Sequence, residues 1–385
     1  MAVFLCTAIL CGCGNVSGSS AQSASGDGTG VVASSFAGKN MQTSTLFAMD
    51  TVMELQVQGD EELLREGEAH IRTLEKELSV TDENSEIAKL NKDGKAALSE
   101  DVAGLMSSAL DICESTEGAL DITIYPVLKA WGFTTSEYRV PTDDEIHKLL
   151  ANVDYHRIII GHSDPNAVDS EISGLESSVS NIESDDKLSA ATGITCEIPS
   201  GTQVDLGSVA KGYTSMSLYN LFTDKGVTSG LINLGGNVQC IGSKPNGDDW
   251  KVAVKSPFID TASGILGVLS VSDLAVVTSG GYERFFEEDG KTYWHILDPK
   301  TGKPAENGLV SVTIIGKDGL LCDGLSTALF VKGRDGAISY YQSNRDKEFD
   351  MVLVTDDREV YLTEGVADKF SLASEYYSLN THIIK

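Results

Sequence analysis

The sequence predicts an α+β fold of mixed sheets with packed helices, and three observations predict it. Period-two apolar runs and helix-spaced apolar runs both occur along the chain. They do not follow the strict strand–helix alternation of a parallel, doubly wound sheet. No internal repeat is present, so the runs belong to one irregular architecture rather than to stacked copies of a unit.

Taken from the N-terminus, the first element is a leader. Ala2 to Leu10 is apolar but too short to cross a bilayer as a mature helix. It runs into Leu10-Cys11-Gly12-Cys13, which resembles the bacterial lipobox, although no Lys or Arg precedes it. The expectation is a lipoprotein signal over residues 1–13, with Cys13 carrying the lipid and the protein exported and anchored to the outer face of the bacterial cytoplasmic membrane. Residues 14–40 are Ser, Gly and Ala and read as a flexible tether, because so little apolar surface cannot offset the entropy of ordering the chain.

Folded sequence is expected over residues 41–376. Met53, Leu55 and Val57 alternate with polar neighbours and mark a strand. Leu63, Ile71, Leu74 and Leu78 recur at helical spacing, as do Val102, Leu105, Met106, Ala109 and Cys113, and both stripes read as core. Residues 163–192 are acidic and Ser-rich and read as an exposed insertion. A helix is expected from Leu206 to Phe222, then strands carrying Trp250, Val252 and Val254 and Leu266, Val268 and Ser270. Helices over 323–331 and 336–343, strands near Met351 and Val360 and a tail at 377–385 complete the reading.

Composition narrows the function classes. The formal charge is −28 from 29 Lys and Arg against 57 Asp and Glu, with no basic stripe, which argues against nucleic acid. A polyanionic ligand would need a local cation or metal. The four cysteines of the body, Cys113, Cys196, Cys240 and Cys322, stand singly, so buried thiols are expected rather than a zinc site.

Five segments can carry chemistry. Val204 to Tyr213 joins a strand end, a glycine turn and Lys211 in a first helical turn, where free N–H groups suit an anion. Cys322 to Leu329 sets Asp323 and Thr327 four residues apart, on one helix face, with hard oxygens suited to Mg²⁺. The competing reading makes Asp323 a helix cap and Thr327 a core residue. Thr278 to Arg284 supplies hydroxyls and glycines after an apolar strand. His295 to Gly302 places a histidine before a Pro/Gly turn, and Gly118 to Thr123, with Trp131 and Phe133 following, brings Asp121 near a helix end. No nucleophile elbow or phosphate loop is present.

In order and combination these segments, with Ala48-Met49-Asp50-Thr51, Leu78-Ser79, Asn84 to Ile87, Leu90-Asn91 and Asn233 to Asn237, resemble the FAD:protein FMN transferase (ApbE) family from about Phe47 to Leu372. The resemblance implies Mg²⁺ bound by the side chains of Asp323 and Thr327 and the Ser208 carbonyl, with Ser326 near the ion. It implies FAD as substrate, contacted by Met49, Ala119, Leu120, Asp121, Asp205, Lys211 and the His295-Ile296 strand. It further implies an acceptor flavoprotein modified on a Thr or Ser hydroxyl, with AMP released, and His295 is the candidate for assisting removal of that hydroxyl's proton. Val80-Thr81 stands where many relatives carry an aromatic, and Gly281 where an acidic residue is common. Three other readings stay open: an FAD pyrophosphatase, a non-enzymatic FAD-binding lipoprotein and a structural surface protein. AMP release and flavin retention separate them.

Overall fold

A computed structural model of the protein describes residues 39–162, 193–258 and 260–385. The leader with Cys13, nearly all of the tether and the 163–192 insertion lie outside the described residues.

The architecture is organised by a nine-stranded sheet whose spatial order is the order of its strands along the chain. They are β1 (Met41–Ala48), β2 (Thr51–Gln58), β3 (Gly230–Leu234), β4 (Asn237–Ile241), β5 (Ala275–Gly280), β6 (Leu309–Gly316), β7 (Phe349–Thr355), β8 (Val360–Thr363) and β9 (Thr381–Ile384). Every neighbouring pair is antiparallel except β8 and β9, which run parallel. The sheet is thus mixed, as the α+β reading expects. The expected tail at 377–385 is corrected here: β9 extends the sheet, and Ile384, 5% exposed, is held in the core. One buried isoleucine in a polar stretch was too little signal for a strand.

Both faces of the central strands are covered. Ala275, Val277, Val312, Ile314, Met351 and Leu353 face a helical layer. Val276, Ile315, Val352 and Val354 face a three-stranded sheet built from Trp250–Lys255, Ile265–Val271 and Phe370–Leu372. Two-sided burial explains why β6 is almost continuously apolar rather than alternating. In the smaller sheet Trp250, Val252 and Val254 point inward, as their alternation predicts. The expected Leu266, Val268, Ser270 face is corrected, since Leu266, Gly267, Leu269 and Val271 are the buried residues. A register shift at Val254/Lys255 and the Phe370 ring, which sits where a Cβ on Gly267 would lie, cause the change.

The helical layer holds α1 (Glu61–Leu78), α2 (Glu86–Asp93), α3 (Glu100–Ser115), α4 (Tyr125–Trp131), α5 (Asp143–Leu150), α6 (Ala210–Asp224) and α7 (Gly319–Ser343). The predicted stripes of α1 and α3 are buried throughout. Ser85 and Ser99 cap α2 and α3 by accepting from Ala88 and Val102 N–H groups. α6 begins four residues later than its apolar pattern suggests, because Leu206 to Val209 form a turn. α7 begins earlier than expected and breaks at Gly333, φ 73° and ψ 175°, which separates the two helical pieces read from sequence. Beside this layer, Lys95–Ala97, Ile194–Glu197 and Ile159–His162 make a small sheet in which His162 pairs with Ile194. All four body cysteines are buried and free, as expected.

Candidate active site

The site lies at one end of the main sheet, where two tight turns meet the start of α6. Between β1 and β2 the turn residues Met49 and Asp50 both have positive φ, 47° and 59°, the geometry of a two-residue hairpin. A methionine in that region is strained by about 1 kcal/mol or more, so the surroundings must hold it. Its N–H donates to Glu75 at 2.7 Å, and its sulfur lies 3.9 Å from the Thr214 hydroxyl of α6. Gly235-Gly236 makes the adjacent turn, between β3 and β4. A Cβ on Gly235 would lie 2.1 Å from Thr51 Oγ1, so the two hairpin tips are in contact.

Next to these tips α6 crosses α7 at very short range. A Cβ on Gly212 would sit 2.4 Å from the Gly319 carbonyl and 2.5 Å from the Asp323 Cβ. Only glycine permits that approach, and it brings the Asp323 carboxylate onto the N-terminus of α6. Asp323 Oδ2 accepts from the Gly212 N–H at 2.7 Å, satisfying one of the donors a helix start leaves open. No side chain of the N-cap residue does this for α6. The N-cap of α7 itself is Asp318, which accepts from Leu321 at 3.0 Å, so Asp323 is not the cap of its own helix. Burial pushes the Asp323 carboxyl above its ordinary range, while Lys211, the Gly212 N–H and the Asn237 amide pull it back.

A wall of hydroxyls adjoins this carboxylate. Ser279, at the end of β5, lies 2.7 Å from the Ser326 hydroxyl and 3.3 Å from that of Thr327. Ser326 also donates to the Asp323 carbonyl at 2.8 Å. Thr327 is half-buried, one helical turn after Asp323, and the Ser208 turn precedes α6. A buried carboxylate with several hydroxyls is a hard-oxygen donor set, and its chemistry fits Mg²⁺. No group of three or more His, Cys, Asp or Glu side chains suited to a metal occurs among the described residues, so the fit rests on one carboxylate, hydroxyls and backbone carbonyls.

Positive charge and a neutral imidazole complete the site. Lys211, in the first turn of α6, acts electrostatically on Asp323, Glu283 and His295 together. His295 Nδ1 lies 3.2 Å from the Arg284 carbonyl, which can only accept, so Nδ1 carries the proton and Nε2 holds a lone pair. Burial pushes this imidazole down to about 3, and the Arg284 and Lys211 cations push the same way. Asp205 is half-buried, accepts from the Gly207 N–H at 2.7 Å and feels Arg284. Its own N–H donates to Ile122 at 2.8 Å, which draws the 119–122 segment alongside the α6 turn.

Not every expected contact residue points its side chain outward. Asp121 is 7% exposed and turns inward, with both carboxylate oxygens used by Thr123 and Tyr155. Ala119, Leu120 and Ile296 are likewise buried in the core, which leaves their backbone as the part able to meet a ligand. Val80 is half-buried against that core. At Gly281 a Cβ would lie 3.1 Å from the Trp294 ring, so a larger residue there requires the indole to shift by a few tenths of an ångström. Residues without an assigned role in the sequence reading also stand here, namely Asn237, Gly212 and Arg284. All three lie within segments the sequence singled out, but nothing local distinguishes them from their neighbours there.

Comparison with known proteins bears on this geometry. The model of the ApbE family matches residues 49–353. An FAD:protein FMN transferase of Vibrio cholerae is 28% identical over 286 residues, 73% of this chain and 76% of the relative. That of Haemophilus influenzae is 26% identical over 80% of this chain and 83% of its own length. Among solved structures, the ApbE protein of Thermotoga maritima is 27% identical with TM-score 0.69, covering 88% of this chain and 98% of that one.

Proposed function

The chain belongs to the ApbE family, and on that premise we propose that it is an FAD:protein FMN transferase acting with Mg²⁺. It moves the FMN half of FAD to a Thr or Ser hydroxyl of an acceptor flavoprotein and releases AMP. The observation that carries this reading is the meeting of Asp323, Thr327, Lys211 and His295 at one end of the sheet, although Lys211 and His295 lie far from Asp323 in sequence.

Each residue has a task that its surroundings support. Asp323, Thr327 and the Ser208 carbonyl would hold Mg²⁺, with Ser326 beside it, and the bound ion would neutralise charge on the FAD diphosphate. Lys211, presented by the N-terminus of α6, offsets further phosphate charge. Met49, Asp205 and the 119–121 backbone would contact the FAD. The acceptor hydroxyl attacks the FMN phosphorus in line, the bond from that phosphorus to the AMP oxygen breaks, and His295 Nε2 takes the hydroxyl proton. Burial, and after it the Arg284 and Lys211 cations, keep His295 neutral, which leaves the Nε2 lone pair to take that proton. The N-terminal Cys13 motif supports export and lipid anchoring to the outer face of the bacterial cytoplasmic membrane.

The test is mass spectrometry of a candidate acceptor after incubation with the protein, FAD and Mg²⁺. An FMN adduct on Ser or Thr with stoichiometric AMP is expected. AMP without an adduct makes the protein a pyrophosphatase, and neither product ends the reading.

A further inference from the structure

Asn91 closes the run from Asn84 to Asn91, whose other members have plain structural tasks. Ser85 caps α2, Glu86 accepts from the Ser99 N–H at 2.8 Å, and Ile87 and Leu90 are buried in the core. Asn91 instead reaches across to the chain that leads into the site. Its Nδ2 donates to the Val204 carbonyl at 2.8 Å, and its Oδ1 accepts from the Val204 N–H at 2.6 Å. Val204 is fully buried but stands in no strand, contrary to the strand end read from sequence, so no ladder meets its two backbone groups. A side-chain amide donates and accepts side by side, and here it takes the place of a neighbouring strand.

We infer that Asn91 is a positioning residue that holds the segment carrying Asp205 against the FAD, an inference that rests on the proposed function. Asp205 follows Val204 directly, and its N–H donates to the Ile122 carbonyl at 2.8 Å. The chain is therefore gripped at two successive residues, from α2 on one side and from the 119–122 segment on the other. The Leu206 carbonyl then accepts from Val209 and Ala210 at 2.9 and 2.8 Å, which closes the turn before Lys211. No free length of chain separates the clamp from Asp205, so a shift at Val204 moves that carboxylate.

The experiment is a double-mutant cycle on FAD binding, read by flavin fluorescence with Mg²⁺ and no acceptor, with melting temperature measured in parallel. Asn91→Leu removes both bonds at similar volume and is expected to raise the FAD half-saturation about tenfold or more in the parent. In an Asp205→Ala background, where the group it aims is already gone, the same change is expected to raise it less than about twofold. A merely structural asparagine acts alike in both backgrounds, so equal rises overturn the assignment. An unchanged half-saturation also overturns it, whether in the folded leucine variant or in Asp205→Ala alone. Asn91→Ser, too short to span to Val204, decides on the same criteria if the leucine variant does not fold. A parent protein that binds no FAD sinks the proposed function itself.

Discussion

Asp323 and Asp121 are both buried carboxylates, and burial raises both. Their surroundings divide them. Asp121 accepts from the Thr123 N–H at 2.8 Å, the Thr123 hydroxyl at 2.6 Å and the Tyr155 N–H at 3.3 Å. It is a strut that ties the loop after α3 to residue 155. Asp323 accepts one backbone donor, on Oδ2, and stands near a lysine and a row of hydroxyls. A carboxylate has room for about four donors, so the contrast is between a group whose capacity is taken locally and one with capacity left for a ligand. Saturation, more than burial, separates the structural aspartate from the one proposed to hold the ion.

The contrast can be broken most directly at Asp323. Asp323→Asn keeps an oxygen for the Gly212 N–H but removes the charge, so FMN transfer should fall on the order of 10²–10³-fold or more with melting temperature nearly unchanged. Comparable transfer in that variant would falsify the metal-site assignment. Next in size, Gly212→Ala inserts a methyl 2.4 Å from the Gly319 carbonyl. A loss of about 1–3 kcal/mol in denaturant unfolding is expected, with transfer reduced because Asp323 is displaced.

Asp121→Asn gives the converse result. It sets an NH₂ group against donors and should cost about 1–3 kcal/mol while leaving the Mg²⁺ dependence of FAD binding as it was. A shifted Mg²⁺ dependence there would erase the distinction drawn above. The smallest effect concerns a third carboxylate, Glu77 on α1, whose Oε2 is buried without a partner. Burial, then the neighbouring Glu86 and Asp101 charges, raises it to about 7. A carboxyl raised in the folded state costs stability above its unfolded value, fully so above about pH 7, and the cost fades as pH falls toward 4.5. Glu77→Gln should therefore stabilise by about 1 kcal/mol at pH 8 and by little at pH 5, measured by chemical unfolding at each pH.

Much of the fold was legible because its elements carry their own periodicity. Met53, Leu55 and Val57, or Trp250, Val252 and Val254, declare a face without outside help. The tail was not, because β9 is defined by backbone pairing with β8 and only Ile384 advertises it. That Asp323 and Thr327 share a helix face was readable from their spacing, while their assignment to an ion came only with the family resemblance. Gly212 was not, because the reason for that glycine is α7, reached only after another hundred residues. Asp121 shows the same limit from the other side. Its segment is where the motif order places it, but the direction of its side chain is decided by Tyr155, which no local pattern announces.

The pairing of His162 with Ile194 sets residues 162 and 194 side by side in the small sheet. A chain that departs and returns at neighbouring points closes a loop whose entropy grows only logarithmically, about 0.6 kcal/mol for each doubling of length. That position is therefore a port: a reporter domain or affinity module could be spliced between those strands with little penalty to the body that folds around it.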